Sequence, residues 1–330
     1  MLRERIDEGG YGAVYRCEQP LLGRQAVVKV LHKRLRGNDV VLQRFLREAQ
    51  LASRLDHPYA AHVYAFGIEH DDGLFWIAME MVQGTALNRW LAERGPLPLD
   101  QLVPFFERVA EVVQTAHERG IVHRDLKPSN VMVIERAGRL LPKLLDFGIA
   151  KLLDDAALPP PRLSTPRVVQ TADAAVVAMA ETPVKTPDGT PETLELRGAS
   201  RRPDPSQTTL TGTTAPPERG LLRPLTHADS TIGSPPYMSP EQWSNAVTVG
   251  PASDLYALGV VAYEALTGRR PFIATTPAAY ADLHCTASVP PLGDGFSPAL
   301  DRWFERAFAK RSEQRWASAL ELAAALRTAS

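Results

Sequence analysis

Residues 123–130 read His-Arg-Asp-Leu-Lys-Pro-Ser-Asn, and Asp146-Phe147-Gly148 follows 16 residues after Asn130. The octapeptide brings together a carboxylate (Asp125), an ammonium group (Lys127) and a carboxamide, and the triplet supplies a second carboxylate. A single aspartate is usually a surface or capping residue, since charged side chains are mostly exposed. Polar groups in this order and spacing instead indicate a single site that stabilises charge. The remaining elements are predicted from the sequence on either side of these residues.

The composition excludes several classes of protein. Of 330 residues, 44% are hydrophobic and 23% charged, as in a globular chain long enough for one large core or two modest ones. The 37 basic and 38 acidic residues leave a net charge of -1, so no basic field for nucleic acid is predicted. Two distant cysteines predict neither a disulfide framework nor a thiolate metal site. No apolar run is long enough to span a membrane and no secretory leader is evident, which predicts a cytoplasmic protein.

One segment differs from the rest in composition. Residues 154–232 contain no aromatic residue, 12 prolines and 17 serines or threonines, including the Thr-Pro pairs at Thr165, Thr182, Thr186 and Thr190. Such a segment cannot offset its ordering entropy by burying apolar surface, so it is predicted to be disordered. The flanks, 1–153 and 233–330, are therefore predicted to form the folded part together.

The first flank changes from strands to helices near residue 84. A glycine cluster (Gly9, Gly10, Gly12) precedes two β-rich runs, 13–15 and 25–31, which predict a hairpin. Helical apolar spacing over 41–55 predicts an amphipathic helix, and 74–79 predicts a buried strand. Helical periodicity then covers 102–117. This change predicts a small sheet-rich lobe joined to a larger helical one, with a cleft between them.

These motifs together resemble the eukaryotic-like (Hanks-type) serine/threonine protein kinases of bacteria. Asp125, Lys127 and Asn130 match that family's catalytic loop, and Asp146 matches its metal-binding aspartate. The resemblance implies an α+β, two-lobed protein-kinase fold, with a small β-rich lobe carrying one helix and a larger, mainly α-helical lobe. It implies the following organisation: N-lobe 1–82, first part of the C-lobe 83–153, disordered Pro/Thr-rich insertion in the activation segment 154–232, and second part of the C-lobe 233–330.

The resemblance assigns a role to each polar group. Catalysis requires the γ-phosphoryl group to be positioned and its charge neutralised. Asn130 and Asp146 would hold Mg²⁺, with Mn²⁺ as a substitute. Lys29, paired with Glu48, would orient the α- and β-phosphates of ATP, and Lys127 would contact the γ-phosphate. Asp125 would orient the substrate hydroxyl and receive its proton.

Other residues would surround the nucleotide. The glycine cluster would cover its phosphates, and the backbone of Glu80 and Val82 would hydrogen-bond adenine, with Met79 behind it. The adenine ring would lie between three apolar side chains, for which plain core packing is nearly the same physical statement: Val14, Val27 and Met132. One departure is Asp7, which stands at the first glycine position of the loop and is expected to weaken ATP affinity.

The later motifs also match the family. The run 233–241 resembles the end of an activation segment, with Ser-Pro-Glu in place of Ala-Pro-Glu, and Ser234 favours Ser/Thr over Tyr acceptors. Asp254 would fix the catalytic loop, and Glu241 would pair with Arg315, since a buried charge requires a partner.

The activation segment is expected to carry regulation. From Asp146 to Glu241 it spans 96 residues. Arg124 is of the type that pairs with a phosphorylated residue, which makes Thr226, Ser230 and Thr231 candidates for autophosphorylation. A loop without a role remains the alternative for the rest of the insertion, because long surface loops cost little closure entropy.

The function implied is ATP-dependent phosphorylation of protein Ser/Thr hydroxyls, regulated by autophosphorylation. The implied partners are protein substrates, a phosphothreonine-reading protein, and a second copy of the chain during trans-autophosphorylation. A pseudokinase scaffold is the alternative, although such proteins typically lack equivalents of Lys29, Asp125 or Asp146. A small-molecule kinase is disfavoured by the region around Ser234, which resembles a peptide-binding surface.

Overall fold

The computed structural model describes residues 2–9, 12–19, 23–31, 39–69, 73–147, 234–244 and 249–330. The predicted insertion at 154–232 lies outside these residues, and so do the phosphosite candidates Thr226, Ser230 and Thr231. The chain divides into a first unit, residues 1–174 and 231–330, and a second unit, residues 175–230, which is entirely outside the described residues. All elements below belong to the first unit.

The amino-terminal lobe is built on an antiparallel sheet with the strand order β1-β2-β3-β5-β4. Its β-branched runs produce the predicted hairpin, in which Val14 pairs with Lys29. On its other side, the second strand of the hairpin pairs with the strand that contains Met79, which lies opposite Val27. The elements of this lobe are β1 (Leu2–Gly9), β2 (Gly12–Gln19), β3 (Arg24–Leu31), α1 (Asp39–Ser53), β4 (Val63–Ile68) and β5 (Phe75–Glu80).

The helix predicted over 41–55 is α1, two residues earlier at each end. Its Phe45 is fully buried, and the Phe45 and Phe75 rings lie with centroids 5.0 Å apart. A small second core of Leu31, Phe45, Phe75, Ile77 and Met79 thus fastens the helix to the sheet.

The carboxy-terminal lobe is mainly helical, as predicted. It contains α2 (Leu87–Arg94), α3 (Leu99–Glu118), α4 (Pro240–Ser244), α5 (Pro251–Thr267), α6 (Pro277–Thr286), α7 (Pro298–Ala307) and α8 (Ala319–Ala329). Helix α5 is buried along nearly its whole length, which is why its sequence is apolar on every side. Helices α3 and α7 pack against it, α8 packs against both of these, and together they form most of the main hydrophobic core.

A small antiparallel sheet, not predicted from the sequence, lies in the same lobe. Its strands are β6 (Thr85–Ala86), β7 (Val131–Arg136) and β8 (Arg139–Leu144), in that order. Strand β7 follows Asn130 directly, and β8 ends two residues before Asp146. This hairpin therefore holds the two predicted metal-binding residues at one edge of the lobe.

The chain passes from one lobe to the other at residues 81–84, and the lobes also contact each other elsewhere. The Ala61 N–H donates to the Leu144 carbonyl over 2.8 Å, and the Leu144 N–H donates to the Tyr59 carbonyl over 2.7 Å. At the end of β5, the Glu80 carboxylate lies 3.0 Å from Lys143 Nζ on β8. Backbone and ionic contacts therefore tie the sheet of one lobe to the strand that leads into Asp146.

Candidate active site

The predicted catalytic loop lies between α3 and β7, and the buried side chain of Asp254 supports it. The Asp254 carboxylate, 1% exposed, accepts hydrogen bonds from the N–H groups of His123 (2.7 Å) and Arg124 (2.8 Å). His117 Nε2 donates to the same carboxylate over 2.8 Å. These bonds fix Arg124 at φ 63°, a left-handed conformation that a side chain rarely adopts. The predicted loop-fixing role of Asp254 agrees with this geometry.

His123 connects the loop to the segment that carries Asp146. Its Nε2 donates to the Leu145 carbonyl over 2.9 Å, and its Nδ1 accepts from the Asp125 N–H over 3.3 Å. Burial lowers the pKa of this imidazole, so the ring is neutral at physiological pH. The rings of His123 and buried Phe147 lie with centroids 5.0 Å apart. The imidazole thus acts as a fixed spacer between the two acidic residues.

Three side chains converge on the predicted catalytic aspartate, Asp125. Lys127 Nζ lies 2.9 Å from Asp125 Oδ2 and donates to Ser234 Oγ over 2.9 Å. Ser234 Oγ donates to Asp125 Oδ1 over 3.0 Å. Asn130 Nδ2 donates to the Asp125 carbonyl over 2.8 Å and more weakly to its carboxylate. A hydroxyl thus already lies within hydrogen-bond distance of the carboxylate, next to an ammonium group.

The second acidic residue lies against the amino-terminal sheet. Lys29 Nζ donates to Asp146 Oδ2 over 3.0 Å, and the Asp146 backbone is in the left-handed region at φ 49°. Glu48, the predicted partner of Lys29, lies on α1, but its side chain is outside the described residues. The pairing of Lys29 with Glu48 therefore stays a prediction. The contact between Lys29 and Asp146, 117 residues apart, was not found by sequence reasoning.

The donor set fits a nucleotide-bound Mg²⁺. The Asn130 amide nitrogen is engaged by Asp125, which leaves the amide oxygen as the atom available to a cation. The Leu145 N–H donates to the Asn130 carbonyl over 2.8 Å, and this bond keeps the residue before Asp146 beside Asn130. The described residues contain no group of three or more His, Cys, Asp or Glu suited to a metal. One carboxylate and one amide suit Mg²⁺, which usually binds few protein ligands together with phosphates and water.

The glycine cluster lies where β1 ends and β2 begins. Gly9 pairs with Gly12 at the ends of β1 and β2, whereas Gly10 lies outside the described residues. A Cβ at Gly12 would come within 2.1 Å of the Val30 carbonyl oxygen, so no other residue fits there without moving the backbone. Asp7 is exposed on β1, and its Oδ1 accepts from the Glu8 N–H over 2.8 Å.

The predicted adenine-binding residues lie where the lobes join. Val14, Val27 and Met132 are half-buried on β2, β3 and β7, and Met79 is 8% exposed. The Glu80 N–H donates to the His62 carbonyl over 2.8 Å, so an adenine contact at this residue would fall on its carbonyl group. Val82 follows β5 without regular structure and is half-buried.

The residues after Ser234 are anchored to the core of the lobe. The Tyr237 hydroxyl donates to Glu264 Oε2 on α5 over 2.7 Å, and burial raises the pKa of both groups. Arg315 donates to both oxygens of Glu241 over 2.7 and 2.9 Å, as the sequence predicted. Burial alone would raise the pKa of Glu241, but the Arg315 guanidinium and the Ser253 hydroxyl hold that pKa below its usual range.

Two polar contacts of this region were missed by sequence reasoning. Gln242 Nε2 donates to the Arg124 carbonyl over 3.1 Å, and Tyr237 contacts Glu264 as described above. The S-x-x-Q spacing from Ser239 to Gln242 is a helix-capping signal that could have indicated the position of Gln242, although not its contact with Arg124.

Comparison with known proteins identifies relatives over nearly the whole chain. A family model described as "Protein kinase domain" matches residues 2–171. The chain is 33% identical over 320 residues to serine/threonine-protein kinase pkn3 of Myxococcus xanthus, in an alignment covering 95% of this chain and 47% of that protein. It is 29% identical to serine/threonine-protein kinase PrkC of Bacillus subtilis, covering 98% of this chain and 39% of that protein. The chain thus spans less than half the length of these two relatives.

A solved structure agrees with the architecture. The crystal structure of the PknI kinase domain of Mycobacterium tuberculosis matches with a TM-score of 0.62 at 24% identity, covering 99% of this chain and 94% of that one. This likeness confirms the predicted α+β fold. Among the residues described, no helix has the length and apolar character needed to cross a membrane.

Proposed function

The chain belongs to the protein kinase domain family, and from that premise we propose that it transfers the γ-phosphoryl group of ATP to Ser or Thr hydroxyls of proteins. The observation that carries the proposal is the hydroxyl of Ser234, which donates to Asp125 and accepts from Lys127. A substrate hydroxyl in the same position would have a carboxylate for its proton and an ammonium group beside the incoming phosphate. This is the arrangement that an in-line displacement on phosphorus requires.

The roles of the residues follow from their chemistry. Asp125 orients the acceptor hydroxyl and takes its proton while the new O–P bond forms and the bond between the β-oxygen and the γ-phosphorus breaks, which releases ADP. Lys127 neutralises charge on the γ-phosphoryl oxygens, and Lys29, whose Nζ contacts Asp146, neutralises charge on the α- and β-phosphates. Asn130 and Asp146 would hold Mg²⁺ or Mn²⁺, which would supply charge stabilisation for the transferred group.

Several finer statements belong to the same proposal. The glycine hairpin covers the phosphates, and adenine lies among Val14, Val27 and Met132 against the backbone of Glu80 and Val82. Autophosphorylation at Thr226, Ser230 or Thr231 between two copies of the chain would regulate the enzyme, and a phosphothreonine-reading protein would recognise the product. The use of ATP and of protein hydroxyls is consistent with the cytoplasmic location that the sequence predicts.

The test is phosphoryl transfer from radiolabelled Mg²⁺-ATP to the chain itself and to a generic protein substrate. Wild type and Asp294→Asn, an exposed aspartate in a loop, are expected to incorporate label, whereas Asp125→Asn is expected to lose at least about 100-fold in rate. Phosphopeptide mapping would place the label on Ser or Thr. Absence of transfer by a wild-type chain that still binds ATP would overturn the proposal in favour of a binding module.

A further inference from the structure

Gln242 contacts both the end of the activation segment and the catalytic loop. It lies on the short helix α4, in the sequence Ser239-Pro240-Glu241-Gln242, and it lines the concave surface next to Asp125 and Ser234. Its side chain makes hydrogen bonds in two directions, and the arrangement of these bonds determines which way the carboxamide points.

The first direction fixes the oxygen. Gln242 Oε1 accepts from the Ser239 N–H over 2.9 Å and from Ser239 Oγ over 3.2 Å. The first of these is the reciprocal bond of a helix-capping box, in which the side chain three residues into the helix satisfies the backbone N–H at its start. Because Ser239 is fully buried, the N–H has no access to water and requires this acceptor.

The second direction follows from the first. With the oxygen held by two donors, the amide nitrogen must point the other way, and there it donates to the Arg124 carbonyl over 3.1 Å. That carbonyl belongs to the peptide that joins Arg124 to Asp125. The backbone N–H of Arg124 donates to the Asp254 carboxylate over 2.8 Å. The residue is thus clamped through both of its backbone polar groups.

This clamp acts on a residue that needs one. Arg124 is at φ 63°, and such a conformation persists only when surrounding contacts over-determine it. If the carbonyl were released, the peptide could rotate toward a more favourable φ, and the Asp125 side chain would turn with it. The Asp125 carboxylate would then leave its position beside Ser234 and Lys127.

We propose that Gln242 is a positioning residue, which holds the Arg124–Asp125 peptide in place and makes the geometry of the catalytic aspartate depend on a correctly seated activation-segment end. This inference rests on the proposed kinase function. It also gives a role to Ser239, the serine that replaces alanine in the family's motif, because the Ser239 hydroxyl adds a second bond to the Gln242 oxygen.

The test compares four variants. Gln242→Met removes the hydrogen bonds to both Ser239 and Arg124 without adding charge. Gln242→Glu keeps the acceptor for Ser239 but cannot donate to the Arg124 carbonyl when ionised. Ser239→Ala removes only the hydroxyl bond. Gln101→Met, an exposed glutamine on α3, is the matched control. Each variant is assayed for kcat, the Michaelis constant for ATP and the melting temperature.

Both Gln242 variants are expected to lower kcat by about 10- to 100-fold, while the Michaelis constant for ATP stays within about twofold, since the nucleotide contacts are untouched. Ser239→Ala is expected to lower kcat by about twofold, because the backbone bond remains. If Gln242 had only a structural role, its substitution would lower the melting temperature without a selective decrease in kcat. The proposal is overturned if Gln242→Met keeps wild-type kcat, or if Gln242→Glu does.

Hydrogen–deuterium exchange of residues 121–126 gives a readout that needs no catalysis. Faster exchange in both Gln242 variants than in wild type or Gln101→Met is expected, because the clamp on Arg124 is lost. A wild-type chain without phosphoryl transfer would overturn the proposed function alone, and the exchange data would still decide the positioning role. Unchanged exchange in both Gln242 variants would overturn the positioning role alone.

Discussion

Two charged groups in the core of the carboxy-terminal lobe differ in their access to water from an ion pair on the amino-terminal sheet. In the carboxy-terminal lobe, Asp254 is 1% and Arg315 3% exposed, and each is satisfied by several hydrogen bonds. On the amino-terminal sheet, the pair formed by Arg3 and Glu18 retains 57% and 45% side-chain exposure. Buried ionic groups hold one arrangement because breaking it leaves an unsolvated charge, whereas exposed pairs exchange with water at little cost.

The nucleotide-facing pair lies between these extremes. Lys29 and Asp146 are 18% and 33% exposed, so they are partly hydrated and can change partners when phosphate and a cation arrive. The Lys127–Asp125 pair is exposed to a similar degree, 26% and 18%, so the buried groups fix the backbone around Arg124 and Glu241, while both of these partly hydrated pairs can change partners. Three single substitutions and one double-mutant cycle test this difference through the free energy of unfolding, in order of expected effect.

The largest effect is expected at Asp254. Asp254→Ala leaves the N–H groups of His123 and Arg124 without their buried acceptor and removes the support for the left-handed Arg124 backbone. A loss of about 3–5 kcal/mol in unfolding free energy is expected, measured by urea denaturation. Asp294→Ala, in an exposed loop, is the control. A loss below about 1 kcal/mol would show that the loop is held by other contacts.

Arg315→Met is next, at about 3 kcal/mol, because Glu241 loses the cation that satisfies both of its oxygens. The pH dependence gives a sharper result. The folded-state pKa of Glu241 lies below its unfolded value, so the pair stabilises the fold above about pH 4.3, and this contribution is lost as pH falls through the folded pKa. In the variant, the Ser253 hydroxyl bond remains but the Arg315 cation is lost, so the pKa of Glu241 rises relative to wild type.

The difference in stability between wild type and Arg315→Met is therefore expected to shrink as the pH is lowered from 7 to about 3. Urea denaturation across this range measures it, with Arg311→Met as a control whose side chain is 73% exposed. A difference that stays constant with pH would mean that Arg315 contributes through packing on Tyr256, where its guanidinium lies 4.9 Å from the ring centroid, rather than through charge.

Lys29→Met separates stability from function. Because the pair with Asp146 is partly hydrated, the loss of unfolding free energy is expected to be about 1 kcal/mol or less. The rate of phosphoryl transfer should fall by about 100-fold, since a charge that stabilises the phosphates is removed. Urea denaturation and the transfer assay on the same preparation measure both. A loss of several kcal/mol would show that this pair contributes to stability as the buried pair of Glu241 and Arg315 does.

The smallest effect is expected for the exposed pair of Arg3 and Glu18. A double-mutant cycle with Arg3→Ala and Glu18→Ala should give a coupling energy of about 0–1 kcal/mol that decreases with added salt. A coupling above about 2 kcal/mol that is insensitive to salt would show that this exposed pair is as strong as the buried ionic groups.

Local signals in the sequence predicted much of this arrangement. The spacing from Asp125 to Asn130 and Asp146 identified the acidic residues of the site, and apolar periodicity located α1 and α3 to within a few residues. Strands β7 and β8 were not predicted from the sequence; β8 contains Pro142, a residue that is rare inside strands. The bonds of Gln242 to Arg124 and of Lys29 to Asp146 could not be predicted, since each joins residues more than a hundred positions apart and depends on tertiary packing.

The backbone bonds of Leu144 with Tyr59 and Ala61 have a mechanical consequence. A rotation of the amino-terminal sheet about residues 81–84 that preserves these bonds has its axis near the end of β8. Displacement in a rotation grows with distance from the axis, so β1 and β2 would move further than Asp146. Such a rotation would therefore leave the Asp146 carboxylate at a nearly constant distance from Asp125.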